Sequence, residues 1–177
     1  EDMVAIRLYV DKHRVISLIK RHVYAIDDIA KNLASHEKTG PTNTCEIVSA
    51  LALKLCERME PTLTNLNEAT DEVEELLLDN AKSELRKNII LIRKQSILFR
   101  RYLAPQRDAL ARLRNIDQEW MDEKKRRLIQ EALDRVTRFV EDLDAVRERT
   151  QIVQDELTNT LTDRLNFASL MLALFCG

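Results

Sequence analysis

The chain has 177 residues, of which 45% are hydrophobic and 33% charged, with only 2 Gly, 3 Pro and 5% aromatics, and its formal charge is −2. So few turn residues among so much Leu, Ala, Glu, Lys and Arg exclude a sheet-rich domain and favour long helices. The near-neutral charge excludes a general attraction to nucleic acid, and the length fits one domain or one small domain with a helical appendage.

The only strand-like stretch lies at residues 3–24. Val4, Ile6, Leu8 and Val10 alternate with Ala5, Arg7 and Tyr9, and after Asp11-Lys12-His13-Arg14 the pattern resumes with Val15-Ile16-Ser17-Leu18-Ile19. Two β-branched runs around a polar turn predict a hairpin. Two strands alone are marginally stable, so the hairpin is expected to belong to a larger sheet. A short helix is expected over residues 26–35, started by Asp27-Asp28, followed by a loop over 36–43 that contains Gly40-Pro41.

From Thr44 the period becomes helical. Ile47, Leu51, Leu55, Met59, Leu63, Leu66, Val73 and Leu77 form one stripe with Thr70 as its polar member. Pro61 inside this run predicts a break or a kink. After a reversal at Asp79-Asn80, a second helix carries Leu85, Ile89, Ile92, Phe99, Leu103, Leu110 and Leu113, interrupted by Pro105. A short connection is expected over 115–120. The third helix starts near Asp122 and meets no Gly or Pro before Gly177. Its stripe is Ile129, Leu133, Val136, Val140, Leu143, Val146, Thr150, Val153, Leu157, Leu161 and Leu165. About 50 residues at 1.5 Å each reach about 75 Å, so this helix must project, pack on other long helices or join an oligomer. The apolar end, Phe167 to Cys176, is too short to cross a bilayer, which needs about 20 residues. It reads equally as the head of a membrane helix or as a buried helix end. The fold class is therefore α, mostly helical, with a small β-hairpin.

No catalytic constellation is found. His13, His22 and His36 have no partner at a metal-ligand spacing, and there is no phosphate loop, nucleophile elbow or Cys-His arrangement. His13 falls in the hairpin turn and His22 at a strand end. Cys45 and Cys56 would lie about 16 Å apart on one helix, too far for a disulfide, and with Cys176 they suit a reducing cytoplasm. The basic cluster Lys124-Lys125-Arg126-Arg127 and the acidic run Asp71-Glu72-Val73-Glu74-Glu75 both read as solvated helix faces. The chain opens on Glu1-Asp2, without an initiator Met or signal peptide, and is expected to begin partway into a longer protein.

Specific words add to this order of elements. They are Arg100-Arg101-Tyr102-Leu103-Ala104-Pro105-Gln106-Arg107-Asp108-Ala109-Leu110-Ala111-Arg112-Leu113, Trp120-Met121, Arg147-Glu148-Arg149-Thr150 and Asp163-Arg164-Leu165-Asn166. From the hairpin to about Asn166 the chain resembles the cytoplasmic region of the CorA superfamily of divalent-cation transporters, and looks like its ZntB zinc-transporter branch. The resemblance implies residues 1–43 as the end of an α/β domain, 44–114 as an antiparallel helix pair, 115–166 as a stalk helix and 167–177 as the truncated start of a hydrophobic membrane segment. It implies a homopentamer in the inner membrane, with this portion on the cytoplasmic side, handling zinc or related ions such as magnesium or cobalt as cargo, with no cofactor and no nucleic acid. By the same resemblance Glu131 and Asp155 are candidate metal-binding carboxylates, Glu131 needing a neighbouring subunit to complete its site, and Asn166 is a candidate pore-mouth residue. The family's Gly-x-Asn signature is not in this chain, and residues 167–177 match the pore-helix start poorly. The alternative is a soluble helical interaction protein whose Ile129–Leu165 stripe binds a partner helix.

Overall fold

In a computed structural model the element order is β1 (Ile6–Val10), β2 (Val15–Ile19), α1 (Tyr24–Ala34), α2 (Thr44–Leu78), α3 (Lys82–Arg114) and α4 (Glu123–Cys176). The structure describes residues 5–34, 40–78 and 82–176. Met3, Val4, Ser35, His36, the expected turn at Asp79-Asn80 and Gly177 lie outside them. The chain divides into two compact units, one of residues 1–62 with 101–141, the other of residues 63–100 with 142–177.

In the first unit the hairpin pairs Ile6 with Ile19 and Val10 with Val15. Asp11 closes its turn: Oδ1 accepts the backbone N–H groups of His13 (2.8 Å) and Arg14 (3.0 Å), while Arg14 Nε donates to Oδ2 at 2.8 Å. Ile6 packs on a cluster of Val23, Ala25, Ile29 and Leu51, which ties β1 and α1 to α2. Helix α1 begins at Tyr24, two residues earlier than Asp27-Asp28 suggested, so Asp27 sits inside the first turn, where the helix dipole favours a carboxylate. The start of α2 is capped by Asn43 Oδ1, which accepts Glu46 N–H at 3.0 Å; Glu46 Oε2 in turn accepts from the N–H and hydroxyl of Thr42.

The buried face of early α2 is Cys45, Val48, Ser49, Leu51, Ala52 and Cys56, while Ile47, Leu55 and Met59 are only half-buried. The expected stripe is therefore displaced there, because α2 is covered by both α1 and α4. Ser49 Oγ donates to the Leu128 carbonyl at 2.8 Å, and Arg135 pairs with Glu60 at 2.8 Å, so α2 and α4 run parallel in this unit. On α4, Ile129, Ala132, Val136, Phe139 and Val140 face inward.

In the second unit three stripes converge. They are Leu63, Leu66, Thr70 and Val73 of α2, Leu85, Ile89, Ile92 and Ser96 of α3, and Leu143, Val146, Thr150, Val153 and Leu157 of α4. The two buried threonines satisfy their hydroxyls within their own helices, Thr70 on the Leu66 carbonyl (2.8 Å) and Thr150 on that of Val146 (2.9 Å). Arg93 reaches Gln151 and Gln154, and Arg100 pairs with Asp144 at 2.7 Å, so α3 is antiparallel to α4.

Two expectations are corrected. Of the break or kink expected at Pro61 the break is absent, and Pro105 does not interrupt α3; each helix runs across its proline. Both rings sit on exposed faces, so the carbonyl deprived of its N–H partner can be met by water, and packing on either side holds the helix together. The α4 stripe also stops packing earlier than expected. Leu157 is buried but Leu161 and Leu165 are exposed, Leu165 at 72%. With Glu74 level with Arg149, α2 runs out near Val153, and α4 outlasts its neighbours.

Candidate functional site

The candidate residues all lie on α4, which positions them by its length rather than by a pocket. Glu131 is exposed in the first unit. Asp155 is exposed in the second, its Oδ1 accepting from Gln151 Nε2 at 2.7 Å one turn earlier. Asn166 is exposed on the stretch of α4 beyond Leu157, where no residue up to Phe175 is buried. Among the described residues no three His, Cys, Asp or Glu side chains lie close enough to hold a metal ion. Glu131 belongs to the first unit and Asp155 to the second. Single exposed carboxylates hold divalent ions weakly, since Ca²⁺ or Mg²⁺ takes about six oxygens. What such positions can do alone is raise the local concentration of cations.

The charges that the sequence placed on solvated faces do more than that. Arg149 donates through Nε to Glu74 Oε1 at 2.7 Å and through Nη2 to Glu74 Oε2 at 2.6 Å, and also reaches Asp71. The guanidinium holds the Glu74 carboxyl below its ordinary value, and the two carboxylates push the Arg149 pKa up. The acidic run is thus divided: Glu72 and Glu75 face solvent, whereas Asp71 and Glu74 grip α4. The basic cluster is divided too. Asp122 caps α4 by accepting the Lys125 N–H at 2.9 Å, and Lys125 Nζ bridges Asp122 and the Trp120 carbonyl. These bonds hold the Asp122 carboxyl below its usual range. Arg126 turns back to the carbonyls of Arg114 and Ile116, satisfying the end of α3. The signal for these anchors was available in the words Arg147-Glu148-Arg149-Thr150 and Trp120-Met121, but spacing along one helix does not reveal a partner on another.

The histidines make no metal cluster among the described residues. His13 lies in the hairpin turn and, with Lys12, Asp117, Glu119, Trp120 and Lys125, lines an open depression of about 870 Å³. His22, just before α1, contacts Asp27 through Nε2 at 2.7 Å and stacks edge-on to Tyr24. Cys45 and Cys56 are free and fully buried, and Cys45 Sγ donates to Met121 Sδ at 3.8 Å. Burial pushes both thiols up, Cys56 to about 11. No described helix is long and apolar enough to cross a membrane.

The described elements are thus a hairpin, a short helix and three long helices, the last bearing isolated exposed carboxylates. The cytoplasmic domain of ZntB from Vibrio parahaemolyticus superposes with a TM-score of 0.76 at 22% identity, over 91% of this chain and 62% of that one. The profile described as "CorA-like Mg2+ transporter protein" matches residues 1–175, and the chain belongs to this family. It is 36% identical over 166 residues to the zinc transport protein ZntB of Pectobacterium carotovorum, covering 94% of this chain and 50% of that protein. It is 33% identical over 178 residues to the divalent cation transporter CmaX of Pseudomonas aeruginosa, covering all of this chain and 53% of that protein. A full-length CmaX structure superposes with a TM-score of 0.82 at 32% identity, over 99% of this chain and 53% of that one. The chain spans about half the length of the curated relatives it matches.

Proposed function

We propose that the chain is the cytoplasmic portion of an inner-membrane transporter for zinc and related divalent metal ions, with magnesium and cobalt as the other candidate cargoes. The observation that carries this reading is the 36% identity to a zinc transport protein along nearly the whole chain. In this reading residues 1–43 end an α/β domain, residues 44–114 brace the stalk, residues 115–166 form the stalk, and residues 167–177 begin the hydrophobic membrane segment. The working assembly is a homopentamer. Repetition around an axis then does what a single chain does not, turning one exposed carboxylate per subunit into a ring of oxygen ligands. Asp155 contributes such a ring and gathers cations, Asn166 lines the pore mouth, and Glu131 meets an acidic residue of a neighbouring subunit to sense the ion. Metal there couples to the pore by favouring one arrangement of the stalks over another.

The test is uptake of radioactive zinc by the full-length gene product in sealed vesicles. Uptake that falls in Asp155→Asn and responds differently to metal in Glu131→Gln is the expected result. No uptake of zinc, magnesium or cobalt would overturn the reading.

A further inference from the structure

Between Leu85 and Arg107 the sequence contains no Asp or Glu, yet it carries Arg86, Lys87, Arg93, Lys94, Arg100, Arg101 and Arg107. In the second unit two of these cations are used internally, Arg93 on Gln151 and Gln154, and Arg100 on Asp144. Arg86, Lys87 and Lys94 are exposed and form no ion pair among the described residues. At 3.6 residues per turn, Arg86, Lys87, Ile90, Leu91, Lys94 and Ile97 fall within an arc of about 140°. Leu85, Ile89, Ile92 and Ser96 occupy the opposite, buried face. The outward arc therefore alternates cations with three large aliphatics, Ile90 at 60%, Leu91 at 56% and Ile97 at 51% exposure.

A face kept only for solubility gains nothing from three large exposed aliphatics. The acidic stripe that a second copy could offer on α2 of this unit, Glu68, Glu72 and Glu75, is flanked by the exposed polar Thr64 and Asn65. An anionic bilayer surface matches both halves of the pattern: lipid phosphates take the cations, and the aliphatics with the Lys and Arg stems enter the headgroup–acyl boundary. We propose that this face of α3 docks on an anionic lipid surface. The proposal stands apart from ion transport, because it is read on the 177-residue chain alone.

The experiment is sedimentation of the chain with vesicles of phosphatidylcholine alone and of equal parts phosphatidylcholine and phosphatidylglycerol. The expected result is binding to the anionic vesicles that weakens with salt and falls roughly a hundredfold when Arg86, Lys87 and Lys94 are all changed to Gln. The pair Ile90→Ser and Ile97→Ser should also weaken it, with helix content by circular dichroism unchanged for both variants. The exposed apolar end of α4 is controlled by Phe167→Ser with Phe175→Ser, which should leave the charge-dependent binding in place. Absence of binding, equal binding to neutral vesicles, or full binding by the triple variant would each overturn the proposal. So would light scattering in which the wild-type chain self-associates without lipid and the triple variant does not, since the face would then join copies.

Discussion

Arg149 grips Glu74 with two parallel hydrogen bonds, Nε to Oε1 at 2.7 Å and Nη2 to Oε2 at 2.6 Å, fastening α4 to α2 in the second unit. The pair is partly exposed, so water screens it. Arg149→Ala should still cost about 1 to 2 kcal/mol, because the fork is bidentate and charge-assisted. Arg149→Lys should recover less than half of that, lacking the fork. Urea unfolding measures both; an unchanged midpoint in the alanine variant would contradict the role.

The same contact sets a direction of pH dependence. Arg149 holds the Glu74 carboxyl below the ordinary 4.5, so its contribution is present above that value and is lost as pH falls through the lowered one. Glu46, held down chiefly by the Thr42 N–H, acts with the same sign. Thermal midpoints should therefore drop on acidification below about 4.5, and Glu74→Gln should flatten that drop. A Gln variant that loses stability in acid as steeply as the wild type would show that other groups govern it.

Burial along α4 predicts a sharp contrast between two positions of one sequence stripe. Ile129 is fully buried and Leu165 is 72% exposed. Ile129→Ala should cost about 2 to 5 kcal/mol, whereas Leu165→Ala should change stability by less than about 0.5 kcal/mol. Equal effects in denaturant titrations would mean that the end of α4 is covered in solution.

Pro61 sits in an unbroken helix with its ring exposed. An alanine there gains an N–H for the Glu57 carbonyl and removes the clash of the ring with the preceding turn. Pro61→Ala should stabilise the chain by about 1 kcal/mol or more. A lower melting temperature would show that the proline enforces a bend which the packing requires.

The buried thiols offer a readout of local opening. In a Cys176→Ser background, Cys45 and Cys56 should react with a disulfide reagent at mildly alkaline pH only on unfolding, because the thiolate is the attacking species. The Cys56 contribution to stability is complete below the ordinary 9.0 and fades as pH rises toward about 11. Fast labelling of the folded chain would place these residues in a part that opens readily.

The features legible in the sequence were those fixed within one element. The hairpin turn, the start of α4 at Asp122 and the stripe from Val136 to Leu157 follow from alternation, capping and helical period. Pro105 misled, and the break offered as one alternative at Pro61 is absent, because propensity is local while packing along the helix decides whether it continues. The displaced face of early α2 was hidden because two neighbours cover it. The Arg149 clamp and the Arg126 cap join residues far apart in sequence, and periodicity carries no information about such pairs. Glu131, Asp155 and Asn166 were singled out by resemblance alone; exposed polar residues on a long helix carry no local mark of a binding role.

Arg126 also has a mechanical consequence. By holding the carbonyls of Arg114 and Ile116, it shortens the effective leash between α3 and α4 to a single side chain. The carboxyl end of α3 is therefore tied to the first turns of α4 by more than the intervening loop, as a staple closes a hasp, and Arg126→Ala should loosen that tie.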